Sequence, residues 1–239
     1  MRTIRCVAVS VALTVAASGC SVYDDLTTSD FAKQSGESII AAASAAMQDV
    51  TSMRLTGQVR QAGEQLFVDV SVDRDNRCTG TVRISGSHLD VRRIGARAWV
   101  KGESGAFKRL GGSALPARTL DRLSRSWLPI ERKAVRSLCD FEELLEAFEV
   151  VAFDERPDDW DSAAATVGDE SSIDGHPVVQ LTASPGGGHD EMVWVRSESP
   201  HHVVRIESTA TRDGGTIALT EFGDDVDVEA PARKDILRP

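Results

Sequence analysis

The chain has 239 residues, of which 27% are charged and 5% aromatic, and it carries a formal charge of −10. That acidic balance excludes a nucleic-acid binder, whose affinity comes mostly from Lys and Arg against phosphate, and it argues against a body lying flat on anionic lipid. No uncharged apolar run reaches the roughly 20 residues of a membrane-spanning helix, and the length suits one large β-rich domain with one core.

Met1 to Arg5 carries two positive charges, Cys6 to Ala17 is uncharged and rich in Val and Ala, and Ala17-Ser18-Gly19-Cys20 follows. A basic start, a short apolar run and small residues before a cut make a secretory signal over residues 1–19. A cysteine directly after the cut resembles the bacterial lipobox, in which the thiol of Cys20 takes a diacylglyceryl group. An ordinary signal peptide, with Cys20 an unmodified thiol, is the alternative. Loss of Arg2 and Arg5 leaves the mature part at −12. Acyl chains on Cys20 would then supply the membrane contact, since two or three chains anchor stably where one is marginal. The expected place is the outer face of the bacterial cell membrane. Residues 20–30 read as the lipidated N-terminus with a short polar tether, and residues 31–239 as the folded body.

From Phe31 to Val50 a helix is predicted. Ile39, Ala43, Ala46, Met47 and Val50 recur at spacings of three and four, and Asp30 is the candidate cap. Alternating segments follow: Met53-Leu55-Gly57-Val59, then Leu66-Val68-Val70-Val72, then Cys78-Gly80-Val82-Ile84, then Leu89-Val91-Arg93 and Arg97 to Val100. Turn residues separate them, so the pattern predicts an antiparallel meander with one apolar face and one wet face. Two short helices are predicted next. Arg118–Trp127 carries Leu120, Leu123 and Trp127 on one side, and Asp140–Phe148 carries Phe141, Leu144, Leu145 and Phe148. Alternation returns with Val178-Val179-Leu181, with Met192-Trp194-Arg196 against Val193-Val195, with Val203 to Ile206, and with Ile217 to Phe222. The fold class is therefore α+β, built on a long antiparallel sheet.

Cys6 leaves with the signal and Cys20 is taken by lipid, so Cys78 and Cys139 remain as an even pair in an oxidising compartment. One disulfide is expected, with two free thiols as the alternative. No GxSxG, HExxH or GxxxxGK[ST] pattern is present. Pro185-Gly186-Gly187-Gly188 lacks the Lys and Ser/Thr of a phosphate loop and reads as a hairpin loop, and Gly102-Glu103-Ser104-Gly105 reads as a turn. His201 and His202 are adjacent, so on a strand they point to opposite faces and cannot chelate together. Acidic pairs such as Asp158-Asp159 and Asp224-Asp225 fall where turns and helix starts call for carboxylates. No catalytic residue, metal or cofactor is expected.

What remains is apolar chemistry, since lipid needs a concave apolar surface and few polar groups. Candidate lining positions are Leu66, Val68, Val70, Val82, Ile84, Trp99, Leu120, Leu123, Leu144, Phe148, Trp194 and Ile206. The same residues would serve equally as a filled core, because alternation marks which face is apolar and not whether that face is filled.

The order of these features carries a resemblance. After the lipobox and helix come Ser52-Met53-Arg54-Leu55-Thr56-Gly57, Asn76-Arg77-Cys78-Thr79-Gly80-Thr81, Ala98-Trp99-Val100-Lys101 and Ser126-Trp127-Leu128-Pro129. Leu138-Cys139-Asp140, Ile173 to Val179 and Val193-Trp194-Val195 follow. The chain resembles actinobacterial lipoproteins of the LppX/LprG type, related in fold to LolA/LolB-like lipoprotein carriers. The resemblance implies a half-open antiparallel barrel with helices across its concave side and an apolar cavity for acyl chains of lipids or glycolipids. It also implies work in moving or presenting lipids at the cell envelope, and the expectation is a monomer that binds or transfers lipid without catalysis. An anchored interaction or regulatory protein of the same fold is the other reading. The chain departs from the pattern in its few aromatics and acidic body.

Overall fold

A computed structural model of the chain describes residues 28–111, 115–147, 165–184 and 188–237. The expected lipidation site Cys20 and the expected lining residue Phe148 lie outside them. Helix α1 spans Gly36–Gln48. Strands β1 (Ser52–Gln61), β2 (Glu64–Asp73), β3 (Arg77–Ile84), β4 (Ser87–Ile94) and β5 (Arg97–Gly102) follow as a meander. Helices α2 (Ser104–Gly111) and α3 (Ala117–Arg125), strand β6 (Leu128–Ile130), a 3₁₀ turn (Arg132–Val135), and helices α4 (Arg136–Cys139) and α5 (Phe141–Ala147) form the middle. A second meander comprises β7 (Thr166–Ile173), β8 (His176–Ala183), β9 (Glu191–Arg196), β10 (Val203–Ser208) and β11 (Gly215–Thr220).

The strands make one antiparallel sheet in the order β6-β5-β4-β3-β2-β1-β11-β10-β9-β8-β7. Pairing of β1 with β11 joins the two meanders, while β6 and β7 stay apart as free edges. The sheet is therefore curved but not closed, the half-open barrel implied by the resemblance. Two-residue turns set the register. Ala62-Gly63, Ser85-Gly86 and Asp174-Gly175 all have positive φ, the backbone that a tight hairpin requires. Two glycines of the inner face sit where neighbouring strands approach closely. A Cβ at Gly57 would come within 2.1 Å of the Thr216 carbonyl, and one at Gly80 within 2.2 Å of the Asp69 carbonyl. Only glycine lets neighbouring strands cross so closely.

Register assigns every strand residue to a face. Leu55 lies opposite Val70 and Leu219, Val68 opposite Val82, and Val91 opposite Val100. This inner face forms one core with Ile39, Ala43 and Met47 of α1, which lies with the other helices on the concave side. Trp99 and Trp194 do not belong to it. Trp99 pairs with Arg92 and Pro129, and Trp194 with Gln180 and Arg205, so both occupy the outer face. The inner residues beside them are Ala98, Val100, Val193 and Val195. Each tryptophan instead carries a guanidinium, Arg97 at 5.4 Å and Arg205 at 5.6 Å from the ring centre; Trp194 is half-buried and Trp99 buried on that face.

The helix ends differ from their expected positions. α1 begins after Ser35, whose hydroxyl accepts from the Ser38 N–H at 3.3 Å. Residues 30–33 form a turn, with the Ala32 N–H donating to Ser29 Oγ, so Asp30 is not the cap. The segment read as a turn at Gly102–Gly105 is in part the start of α2. There Phe107 donates to the Glu103 carbonyl, and Gly105 sits where a Cβ would meet Ser87 Oγ at 2.2 Å. α3 ends at Arg125, and Trp127 leaves its face to bridge Ile236. The C-terminal segment thereby runs along the outer face, where the Arg92 guanidinium donates to the Glu229 carbonyl at 3.0 Å.

Cys78 of β3 and Cys139 at the end of α4 form a disulfide with a Cα–Cα distance of 5.4 Å. Beside it Arg93, wholly buried on the inner face, donates to the carbonyls of Cys139 at 2.5 Å and Gly95 at 3.0 Å, and also to Asn76 Oδ1. Disulfide and guanidinium together pin the helical insert to β3 and β4.

Candidate functional site

Under that pinned insert lies a cleft of about 590 Å³. Its floor is the inner face of β2 to β6: Leu66, Val82, Ile84, Leu89, Val91 and Val100, with Leu128 and Ile130 at the edge. Its roof is Phe107 of α2, Leu115, Leu123 of α3, and Val135 and Leu138 beyond β6. Nearly all of these side chains are aliphatic, so neither a strong hydrogen bond nor a charge acts on whatever lies between them.

Polar groups gather at one end. Gln61 and Glu64 of the β1–β2 turn and Arg109 of α2 border the cleft there. Arg109 Nε is 3.4 Å from Glu64 Oε1, which also accepts from the Ser85 hydroxyl at 2.7 Å. Arg109 is 58% exposed and Glu64 37%, so their pairing contributes little stability. Ser137 of α4 and Ala134 also border the cleft, and the rest of its lining is apolar.

Of the expected lining residues, Leu66, Val82, Ile84 and Leu123 border the cleft. Val68, Val70, Leu120 and Leu144 are buried in the core without bordering it. Ile206 packs partly buried on the inner face of the other half of the sheet. Trp99 and Trp194 are on the outer face, and Phe148 is outside the described residues. Leu89, Val91, Phe107 and Leu138 border the cleft although sequence reading did not single them out. Alternation placed Leu89 and Val91 on the apolar face, but Phe107 had no such signal.

The histidines do not converge. His201 stacks flat on Phe31 with ring centres 3.8 Å apart, and His202 lies 4.3 Å from Phe222. Burial lowers the affinity of His202 for a proton, and the nearby Arg196 charge lowers it further. Phe31 belongs to an N-terminal segment docked on β7, where Ser29 donates from both N (2.8 Å) and Oγ (2.7 Å) to the Glu170 carboxylate. Burial works to raise the Glu170 pKa, but the nearby Ser197 hydroxyl and the two hydrogen bonds from Ser29 outweigh it and hold the carboxyl below its ordinary value. Among the described residues no three His, Cys, Asp or Glu side chains are grouped to hold a metal ion. No described helix is long and apolar enough to cross a membrane.

No protein-family model matches the chain, and no curated protein sequence does. Similarity appears in three dimensions. The structure is similar to that of LprF from Mycobacterium bovis, with a TM-score of 0.52 and 12% identity over 82% of this chain and 97% of that one. The lipoprotein LppX of Mycobacterium tuberculosis aligns at a TM-score of 0.49 and 14% identity, over 81% of this chain and 98% of that one. A protein of Thermus thermophilus aligns at 0.37 and 10% identity, over 86% of this chain and all of its own. The likeness to LprF shows a shared fold, and at that level the resemblance read from the sequence holds.

Proposed function

We propose that this protein is an extracytoplasmic lipoprotein, held to the membrane by acyl chains on Cys20, that binds or transfers the acyl chains of a lipid or glycolipid without catalysing a reaction. Residues 1–19 are its signal, residues 20–30 its lipidated tether, and residues 31–239 its binding body. The observation that carries this reading is the cleft: a lining that is mostly aliphatic, with Gln61, Glu64, Arg109 and Ser137 its polar members. Ligand sites commonly span roughly 300–1,000 Å³. A palmitoyl chain needs roughly 430 Å³ at interior packing density, so 590 Å³ accommodates about one chain. The shared fold with LprF is in keeping with this reading.

Native mass spectrometry of the full chain from an actinobacterial host tests it. The expected result is an added mass of one lipid that survives gentle desolvation and disappears on denaturation, while the covalent mass on Cys20 persists. A native mass equal to the denatured mass would contradict acyl-chain binding and favour an anchored interaction protein of the same fold.

A further inference from the structure

The formal charge of −10 is not spread evenly along the chain. The segment from α3 to the start of α4, which roofs the cleft, carries Arg118, Arg122, Arg125, Arg132, Lys133 and Arg136 against Asp121 and Glu131, a net of +4. The rest of the chain is therefore at −14. All six basic side chains are exposed. Acids beside the segment change the count little. Glu143 pairs with Arg136 and takes one from it. The C-terminal turn, joined where the Trp127 N–H donates to the Asp235 carbonyl at 2.8 Å, returns one through Arg233 and Lys234 against Asp235. Glu142 pairs with Arg74, Asp140 with Arg93 and Glu64 with Arg109. Lys108 and Glu103 cancel at the two ends of α2, as do Arg92 over the Trp127 ring and Glu229, whose carbonyl it meets.

A second observation gives this patch its shape. Arg118, Arg122 and Arg125 recur at spacings of four and three, which makes one stripe along the outer side of α3. On its other side Leu120 is buried and Leu123 borders the cleft. Arg132, Lys133 and Arg136 follow in the 3₁₀ turn and α4, of which Val135 and Leu138 line the same roof. The basic residues thus stand on the outside of segments whose inside touches the cleft. Arg125 meets Asp121 at 2.7 Å and Lys133 meets Glu131 at 2.7 Å. Both pairs are solvent-exposed, and such pairs are weak enough to yield to another anion. A basic amphipathic helix is the pattern of a membrane-surface element.

We propose that this basic roof docks on an anionic phospholipid bilayer, with the α3 arginines on head-group phosphates, so that one layer of helix separates the cleft from the lipid surface. Guanidinium groups meet phosphate oxygens two at a time, and cations near an anionic leaflet add their attractions. The membrane is the partner that the chain's own anchor brings within reach. Cys20 lies eight positions before Thr28, the first described residue, at most about 28 Å of extended chain. Repulsion from the acidic remainder fades over a Debye length of about 10 Å at 0.1 M salt. The docking rests on the lipoprotein reading for its partner, and its test does not require that the cleft be filled.

The test uses the full chain carrying Thr119→Trp, an exposed position beside Arg118, in vesicles of phosphatidylcholine brominated near its head group. With phosphatidylglycerol added, T119W gains a quenched fluorescence component that the parent chain lacks. That component is lost without phosphatidylglycerol, and lost at about 1 M salt, where the Debye length falls to about 3 Å. It is also lost when Arg118→Gln, Arg122→Gln and Arg132→Gln are added. None of those three side chains borders the cleft, so displacement of a fluorescent fatty acid stays unchanged in that variant. Quenching of T119W no greater than the parent's, equal in charged and neutral vesicles, or insensitive to salt would overturn the docking. Cover of the patch by the acidic residues 149–161 of this chain, which lie outside those described, would give the first of these results. Absence of fatty-acid binding in the parent, with quenching of T119W intact, would instead overturn the reading of the cleft and leave the docking standing.

Discussion

Val82 and Val70 are neighbours on the inner face, 4% and 1% exposed, and differ in one respect: Val82 borders the cleft and Val70 does not. Replacing each by Phe adds roughly 50 Å³, and in a filled core such overpacking costs about 1–3 kcal/mol. At Val70 the ring has nowhere to go, because Gly80 lies opposite and Leu55 and Leu219 lie beside it. At Val82 the ring enters a space of about 590 Å³ and takes up under a tenth of it. Val70→Phe should therefore lower stability by about 2 kcal/mol, and Val82→Phe by less than about 1 kcal/mol. Urea unfolding followed by fluorescence gives both values if the denaturant slopes agree. Fluorescent fatty-acid binding should weaken in V82F more than in V70F, since only the first ring takes space from the ligand. Equal destabilisation by the two substitutions would refute the premise, because the region under the helices would then be packed core.

Three further predictions concern the disulfide, the buried guanidinium beside it and His202. Cys139→Ser opens a loop of 61 residues and should cost about 4 kcal/mol on the chain-entropy model, measured by urea unfolding. The parent chain should show neither Cys78 nor Cys139 reacting with a thiol reagent until reduced. Arg93→Met leaves the Cys139 and Gly95 carbonyls and Asn76 without their donor. It should cost about 3 kcal/mol, with hydrogen exchange rising first in the helical insert. The lowered pKa of His202 makes its stabilisation complete above the ordinary value of 6.5 and progressively lost as pH falls below it towards the folded value. Stability of the parent chain should therefore drop on acidification through that window, and His202→Gln should flatten the drop.

The architecture was legible where period-two patterns are strict. Leu66, Val68, Val70 and Val72 face the core because a strand turns alternate side chains the same way, and turn residues such as Ser85-Gly86 set where each strand ends. The helices were less legible. Asp30 and Ser35 can both cap a helix, and the choice fell to Ser35 because Phe31 is held outside the helix by its stack on His201. Trp99 and Trp194, candidates for the lining, fall on the outer face by strand parity, since Ala98, Val100, Val193 and Val195 fill the inner positions. Of the cleft, the floor was visible in the alternation, and the roof was not. α2 carries glycines at both ends and reads as loop until Phe107 is seen against the sheet.

The central claim is that an acyl chain lies under the insert, along the inner face of β2 to β5. Photolabelling of the native full chain with a diazirine-bearing fatty acid, followed by peptide mapping, tests it directly. The account predicts label on the segments holding Leu66, Val82 to Val91 and Leu123, competed away by unlabelled fatty acid, with none on β9 or β10. Label confined to the outer face, at Phe67 or Trp194, or label that competitor does not remove, would contradict it.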